Sequence, residues 1–131
     1  SDFGILLPTS IFIDRTLSVL EIVSEYLREE RDMTYHEIAV LLNRDDRTIW
    51  TCYYRAKKKR KTSKKAAISS YEWLPTGIFR DRTLSVLETI SEYLKDEKGL
   101  TSHEIAMLLN RNDRTIWTCY HRAKKKRGKT Y

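Results

Sequence analysis

The chain has 131 residues, with 25 Lys or Arg against 18 Asp or Glu, and therefore a formal net charge of +7. Its 4 Gly and 2 Pro are too few for a collagen-like or low-complexity chain. With 33% charged and 40% hydrophobic residues, the composition favours a small helical protein over an enzyme with a deep pocket. The two cysteines cannot form a disulfide framework, so we expect a reducing, cytoplasmic compartment.

A membrane partner and a secretion signal are not expected. No apolar run approaches the roughly 20 residues that span a bilayer. The opening SDFGILLPTSIF lacks the basic start and the long apolar stretch of a signal peptide.

The sequence repeats itself at an offset of 67 residues. Residues 7–60 align with residues 74–127 without a gap, and 13 of the 54 aligned positions differ, which leaves 41 identities. This similarity indicates a tandem duplication. We predict one domain over residues 1–60, a basic linker over residues 61–73 and a second domain over residues 74–131. Each repeat is near the lower size limit for independent folding, so the two could support each other.

The first predicted helix of each repeat is long and amphipathic. In repeat 1 its apolar stripe consists of Leu17, Val19, Leu20, Val23, Tyr26 and Leu27. Its polar, outward face consists of Glu21, Glu25, Arg28 and Glu29. We expect this helix to begin near Asp14 or Thr16 and to fray after Arg31.

Two shorter helices follow. Thr34 and Glu37 have the spacing of a capping box, Asn43 suits the left-handed residue that ends a helix, and Asp45 is a good N-cap for the third helix. The inward residues of the third helix are expected to be Ile49, Cys52, Tyr53 and Ala56. The caps recur in repeat 2 as Thr101, Glu104, Asn110 and Asn112. Since no strand pattern appears, the predicted fold is all-α, with two tandem three-helix helix-turn-helix domains.

In a helix-turn-helix unit the second helix of the pair normally lies in the DNA major groove. The outward face of the third helix is polar, aromatic and basic, which suits base edges. The candidates for base contacts are Arg47, Trp50, Thr51, Tyr54, Arg114, Trp117, Thr118 and His121. For Trp50 and Trp117, packing against the Leu-Pro-x-x-Ile-Phe segments or the other repeat is the alternative.

Basic residues concentrate after the third helix. Eight of the eleven residues 55–65 are Lys or Arg, whereas acidic residues concentrate in the first helix. This polarity is typical of a surface that binds the phosphate backbone. The phosphate-contacting candidates are Thr34, Arg44, Thr48, Arg55, Lys57, Lys58, Lys59, Thr101, Arg111, Thr115, Arg122, Lys124, Lys125 and Lys126.

The stretch MTYHEIAVLLNRDDRTIWTCYYRAKKK resembles the C-terminal DNA-reading domain of bacterial sigma factors and related transcription regulators. The matching positions are Thr34, Glu37, Ile38, Ala39, Leu42, Thr48, Ile49, Arg55, Ala56 and Lys57, and their equivalents in repeat 2. The chain departs from the common pattern at Asn43, Arg44 and Trp50, where Gly, an apolar residue and a basic residue are usual. The resemblance covers about 25 residues of each repeat and implies fold and DNA binding. Nothing resembles the other sigma-factor domains, which excludes a complete sigma factor.

These patterns predict a double-stranded DNA-binding protein at the nucleoid, acting as a prokaryotic transcription regulator. A nucleoid-associated architectural protein and a protein-interaction module, using the acidic first helices and the Leu-Pro-x-x-Ile-Phe segments, are the alternatives. No phosphate loop, nucleophile elbow or spaced set of metal ligands occurs, so we expect no catalytic residue, metal, cofactor or small-molecule substrate. The sequence leaves open the direct or inverted orientation of the repeats, homodimer formation and contact with the transcription machinery.

Overall fold

The computed structural model describes residues 4–65, 67–69 and 72–128. Within them lie six α-helices, two short 3-10 segments and one two-stranded sheet. Repeat 1 contains β1 (Leu6–Pro8), the first 3-10 segment (Thr9–Ile13), α1 (Val19–Glu29), α2 (Tyr35–Leu42) and α3 (Asp46–Lys59). Repeat 2 contains β2 (Trp73–Pro75), the second 3-10 segment (Thr76–Arg80), α4 (Val86–Asp96), α5 (Ser102–Leu109) and α6 (Asp113–Lys126). Parts of the predicted domains and linker (residues 1–3, 66, 70–71 and 129–131) lie outside the described residues.

The prediction of a mainly helical protein is confirmed, but the two strands were not predicted. β1 pairs with β2 in antiparallel orientation, with Leu7 opposite Leu74. Each strand has three residues and ends in proline, so neither is long enough to display an alternating pattern. Their pairing joins the two repeats.

The predicted start and end of the first helix are wrong. α1 begins at Val19 because Ser18 and Glu21 form a capping box, in which the Glu21 amide donates to Ser18 Oγ at 3.2 Å and the Ser18 amide donates to Glu21 Oε1 at 2.9 Å. Asp14 instead accepts a hydrogen bond from the Thr16 amide at 2.9 Å, ahead of the helix. The helix ends at Glu29 rather than after Arg31.

The predicted caps of the next two helices are confirmed. The Glu37 amide donates to Thr34 Oγ1 at 3.1 Å, and the Thr48 amide donates to Asp45 Oδ1 at 2.8 Å. Asn43 adopts the left-handed conformation with φ 57° and ψ 48°. In repeat 2, Thr101 and Asn112 cap α5 and α6 in the same way, and Asn110 adopts the left-handed conformation. These local bonds set the direction of α3 relative to α2 and of α6 relative to α5.

The polar face predicted for the first helix is wrong at two positions. Glu21 and Glu25 are only 4% and 3% exposed, because α1 packs against α3 along this side. The cysteines also differ from expectation, since Cys52 and Cys119 are half-buried rather than fully inward.

The hydrophobic core runs through both repeats. It includes Leu7, Phe12 and Leu42 of repeat 1 together with Leu74 and Phe79 of repeat 2. The first 3-10 segment packs against α5, and the second packs against α2. Each repeat therefore contributes its N-terminal segment to the other repeat's helices.

Candidate nucleic-acid interface

An aromatic pair stands on the outward face of each third helix. Trp50 is 48% exposed and stacks on Tyr54, with ring centroids 4.9 Å apart and an interplanar angle of 13°. Trp117 is 55% exposed and stacks on His121, with centroids 3.9 Å apart and an angle of 30°. Both tryptophans are thus on the surface rather than in the core, and each presents an apolar ring edge to solvent.

Beside the aromatic pair, a shallow groove runs along the first half of each third helix. In repeat 1 it is lined by Asp45, Arg47, Thr48, Thr51, Cys52 and Arg55. In repeat 2 it is lined by the equivalent Asn112, Arg114, Thr115, Thr118, Cys119 and Arg122. Burial raises the pKa of the Cys52 and Cys119 thiols, so both remain protonated at neutral pH and are poor nucleophiles.

Part of the basic end of α3 is ion-paired with α1. Lys59 Nζ lies 2.8 Å from Glu21 Oε1, and Arg60 Nη2 lies 2.8 Å from Glu25 Oε1. Lys57 Nζ lies 2.7 Å from Glu29 Oε2. The buried carboxylates of α1 need these partners, because an unpaired buried charge is strongly destabilising.

The same arrangement holds α6 against α4. Lys126 Nζ lies 2.8 Å from Glu88 Oε1, and Lys124 Nζ lies 3.3 Å from Glu92 Oε2 and also pairs with Asp96. Four predicted phosphate contacts (Lys57, Lys59, Lys124 and Lys126) are therefore engaged within the protein.

Glu29 is the centre of the cluster in repeat 1. Its burial alone would raise its pKa, but hydrogen bonds from Lys57, Lys65 and Tyr53 outweigh this effect and lower the pKa to about 2. The Tyr53 hydroxyl donates to Glu29 Oε2 at 2.7 Å, and burial together with this bond raises the pKa of Tyr53 to about 12. The carboxylate is ionised and the phenol neutral throughout the physiological pH range, so the hydrogen bond between α1 and α3 does not titrate there.

Arg44 and Arg111, predicted to contact phosphate, lie at the boundary between the repeats. Arg44 Nη1 donates to the Phe79 carbonyl at 2.9 Å, and Arg111 Nη1 donates to the Phe12 carbonyl at 3.0 Å. Both side chains are half-buried, and burial lowers the pKa of each guanidinium group. Their hydrogen bonds tie each helix turn to the other repeat's 3-10 segment.

The remaining cations of the third helices form no ion pair with the first helices within the described residues. Within residues 4–65, 67–69 and 72–128, no acidic partner lies within ion-pairing distance of these side chains. They are Arg47, Arg55, Lys58, Arg114, Arg122 and Lys125, and all are exposed. The structure thus divides the basic residues into a group that contacts acids and a group directed to solvent.

The predicted helix-start threonines have structural partners. Thr34 and Thr101 hold capping boxes, while the half-buried Thr48 and Thr115 donate their amides to the caps of α3 and α6. Thr48 and Thr115 lie on the first turns of α3 and α6, as do Arg47 and Arg114.

One contact beside the exposed faces of α3 and α6 was not anticipated. His36 Nδ1 lies 3.1 Å from the Asp46 carboxylate, and His103 Nδ1 lies 2.8 Å from Asp113 Oδ2. Each pair joins the start of one helix to the first turn of the next. The ten-residue separation of each pair hides it from short-range pattern reading.

No protein-family model, no curated protein and no solved structure matches the chain. In the part of the chain that the structure describes, no helix is both long and apolar enough to cross a membrane. The same residues hold no group of three or more side chains suited to bind a metal ion. The exposed faces of α3 and α6 are therefore the features of the molecule that point to a function.

Proposed function

We propose that the protein binds double-stranded DNA, with α3 and α6 as recognition helices in the major groove. The observation that carries this proposal is the outward face of these two helices, where an exposed tryptophan stacked on a second ring stands beside arginines that form no ion pair within the described chain. A cationic helix face with exposed apolar ring edges is complementary to a groove lined by acceptors, methyl groups and phosphates.

The exposed side chains have distinct roles in this proposal. Arg47 and Arg114, on the first turn of each helix, donate two hydrogen bonds to a guanine base. Thr51 and Thr118 contact thymine methyl groups. The aromatic pairs add apolar contact with base edges. Arg55 and Lys58 in repeat 1, like Arg122 and Lys125 in repeat 2, contact phosphates. Lysines held by the first helix act on DNA only by orienting α3 and α6.

We infer that each repeat is a three-helix helix-turn-helix domain, in keeping with its resemblance to sigma-factor DNA-reading domains. Covalent linkage raises the effective concentration of the second recognition helix once the first has bound. With two recognition helices on one chain, the role best supported is that of a prokaryotic transcription regulator. A strong affinity ratio between a selected site and random duplex supports a regulator, whereas near-equal affinity supports an architectural protein.

The protein-interaction alternative required two surfaces that are occupied within the chain. Glu21 and Glu25 are buried and paired with the basic end of α3. The Leu-Pro-x-x-Ile-Phe segments form the two strands and the 3-10 segments that pack between the repeats. This occupancy favours the DNA proposal.

A pair of matched double variants tests the proposal by fluorescence anisotropy on a random duplex across a salt series. Lys58→Ala with Lys125→Ala removes solvent-directed lysines, and the slope of log affinity against log salt is expected to fall by about 2, about 1 for each lysine. The unfolding free energy of this variant should change by less than about 0.5 kcal/mol.

The control, Lys59→Ala with Lys126→Ala, removes lysines of the same helix ends that pair with Glu21 and Glu88. It is expected to lower the unfolding free energy by about 1–3 kcal/mol per site, with a smaller effect on the salt slope. No binding of the wild-type protein to duplex at low salt would refute the proposed function.

A further inference from the structure

Contacts between the two repeats occur in reciprocal pairs. The Thr9 amide donates to the Glu72 carbonyl at 3.1 Å, and the Thr76 amide donates to the Ile5 carbonyl at 2.8 Å. Thr9 and Thr76 are the same position of the repeat, and so are Ile5 and Glu72. The same hydrogen bond is therefore made twice, once from repeat 1 to repeat 2 and once from repeat 2 to repeat 1.

The helix turns follow the same rule. Asn43 Nδ2 donates to the Arg80 carbonyl at 2.7 Å, and its equivalent Asn110 donates to the Ile13 carbonyl at 2.8 Å. Ile13 and Arg80 are again equivalent positions. The Arg44 and Arg111 bonds to the Phe79 and Phe12 carbonyls form a further such pair.

Reciprocity restricts the symmetry operation that relates the repeats. If repeat 2 followed repeat 1 by a head-to-tail translation, each interface would join two different surfaces. Here the operation that takes repeat 1 to repeat 2 also takes repeat 2 to repeat 1, which is the property of a two-fold axis. Leu7 and Leu74 are equivalent and directly opposed in the antiparallel strands, so the axis passes between them.

We propose that the chain recognises an inverted repeat in DNA, with two half-sites of opposite orientation on one duplex. This inference rests on the proposed function, because it concerns how α3 and α6 share one site. A two-fold axis rotates one recognition helix into the other by half a turn, and local two-fold axes of the duplex relate its two strands in the same way. A direct repeat would present one of the two helices with its half-site reversed.

The inverted repeat is nearly but not fully symmetric. Arg47, Trp50 and Thr51 are matched by the identical residues of repeat 2, whereas Tyr54 is replaced by His121. The two half-sites therefore share the bases read by the first two turns of the helix. They differ at the base step that the third turn reaches.

The experiment begins with selection of bound duplexes from a random library by the full-length chain. The enriched half-site is then placed in inverted and direct arrangements, with centre-to-centre spacings around the roughly 10 base pairs of one helical turn. At the best spacing of each series, the inverted arrangement is expected to bind about 100-fold more tightly than the direct one, because both linked recognition helices then contact DNA. Equal or tighter binding to the direct arrangement would overturn the inference, and so would a stoichiometry of two duplexes per chain.

A variant in which only α3 retains its candidate base contacts provides the matched control. Arg114→Ala with Trp117→Ala removes two exposed side chains of α6, and circular dichroism verifies that the helix content is retained. This variant should bind the inverted and direct duplexes with affinities equal to within about twofold, because only one half-site is engaged. A retained preference for the inverted arrangement would contradict the inference that α3 and α6 read opposite half-sites. If the wild-type chain binds no duplex at low salt, the proposed function itself fails, which is a distinct result.

Discussion

The two repeats hold their first and third helices together with carboxylates at equivalent positions but with differently arranged cations. In repeat 1 the Lys57 side chain is 45% exposed and pairs with Glu29, whereas its equivalent Lys124 is 10% exposed and lies between Glu92 and Asp96. Asp96 replaces Glu29 and is shorter by one methylene group, which draws the lysine inward. The carboxylates of the first helix are paired in both repeats, although the geometry of the pairing differs.

This comparison shows that the lysines of one basic run have two different surroundings, which depend on the side of the helix on which each residue lies. Lys59 and Lys126 face the first helices and pair with Glu21 and Glu88. Lys58 and Lys125, one residue earlier, face solvent. Since one residue rotates the side chain by about 100° around an α-helix, adjacent lysines act on different partners.

The largest expected effect tests whether the repeats depend on each other equally. Phe12→Ala and Phe79→Ala each remove a buried ring of the shared core and are expected to cost about 3–5 kcal/mol of unfolding free energy. Urea denaturation followed by circular dichroism measures both. The two losses should agree to within about 1 kcal/mol, with one cooperative transition in each case. Separate transitions for the two repeats would show that their cores are independent.

The next effect tests the contacts of Glu29 and Asp96, which join the first helix of each repeat to its third helix. Glu29→Gln and Asp96→Asn each remove a carboxylate that accepts a tyrosine hydroxyl at 2.7 Å and a lysine. Each is expected to lower the unfolding free energy by about 1–3 kcal/mol at pH 7. Glu30→Gln is the control, because Glu30 is exposed, and its effect should remain below about 0.5 kcal/mol.

The stabilisation that Glu29 contributes depends on pH with a defined sign. The pKa of Glu29 falls from an ordinary 4.5 to about 2 on folding, so the unfolded chain binds the proton more readily. The stabilisation is complete above pH 4.5 and is lost as the pH falls toward 2. Chemical denaturation at several pH values should show the wild type and Glu29→Gln converging over this window. A constant difference would exclude ionised Glu29 as its source.

A smaller effect tests the difference between Tyr54 and His121 on the outward faces of α3 and α6, and it rests on the proposed function. Tyr54→His makes the two faces identical at their third turns, and His121→Tyr does so with the other residue. Both variants should prefer a fully symmetric inverted repeat over the wild-type site by about tenfold or less, equivalent to about 1.4 kcal/mol. Competition binding with the two duplexes measures this preference. An unchanged preference would place residues 54 and 121 away from the bases.

The smallest effect concerns the loop after the first helix. Asp32 has φ 54° and its equivalent Gly99 has φ 70°, a region that favours glycine. Asp32→Gly is therefore expected to stabilise the protein by about 0.5 kcal/mol, after allowance for the greater freedom of glycine in the unfolded chain. Gly99→Asp should destabilise it similarly, since no atom within 4 Å of a Cβ at Gly99 adds a steric effect. Thermal unfolding of the two variants tests the opposite signs.

The features that sequence reasoning predicted correctly depend on residues close together in the chain. The Thr34–Glu37 capping box, the left-handed Asn43 and the Asp45 cap each involve at most four consecutive residues. The same reasoning missed the Ser18–Glu21 capping box, although its spacing is identical. The apolar stripe begins at Leu17 and suggested an earlier start for the helix.

The errors have a common physical origin in long-range packing. Helical periodicity assigned Glu21 and Glu25 to the outer face because carboxylates are usually solvated. Their burial depends on Lys59 and Arg60, which lie 38 and 35 residues further along the chain. Charge counting likewise could not separate the lysines that pair with acids from those directed to solvent.

The sequence by itself determined the repeat at 67 residues, the helical character of the chain, the caps of the second and third helices of each repeat and the residue types on the outward faces of α3 and α6, because these depend on local spacing. Only the tertiary structure decided that the N-terminal segments cross between repeats, that their contacts are reciprocal and that Lys57, Lys59, Lys124 and Lys126 are held by the first helices. The reason is that strand pairing and ion pairing join residues tens of positions apart. No local pattern encodes which of several possible partners will be adjacent once the shared core has formed.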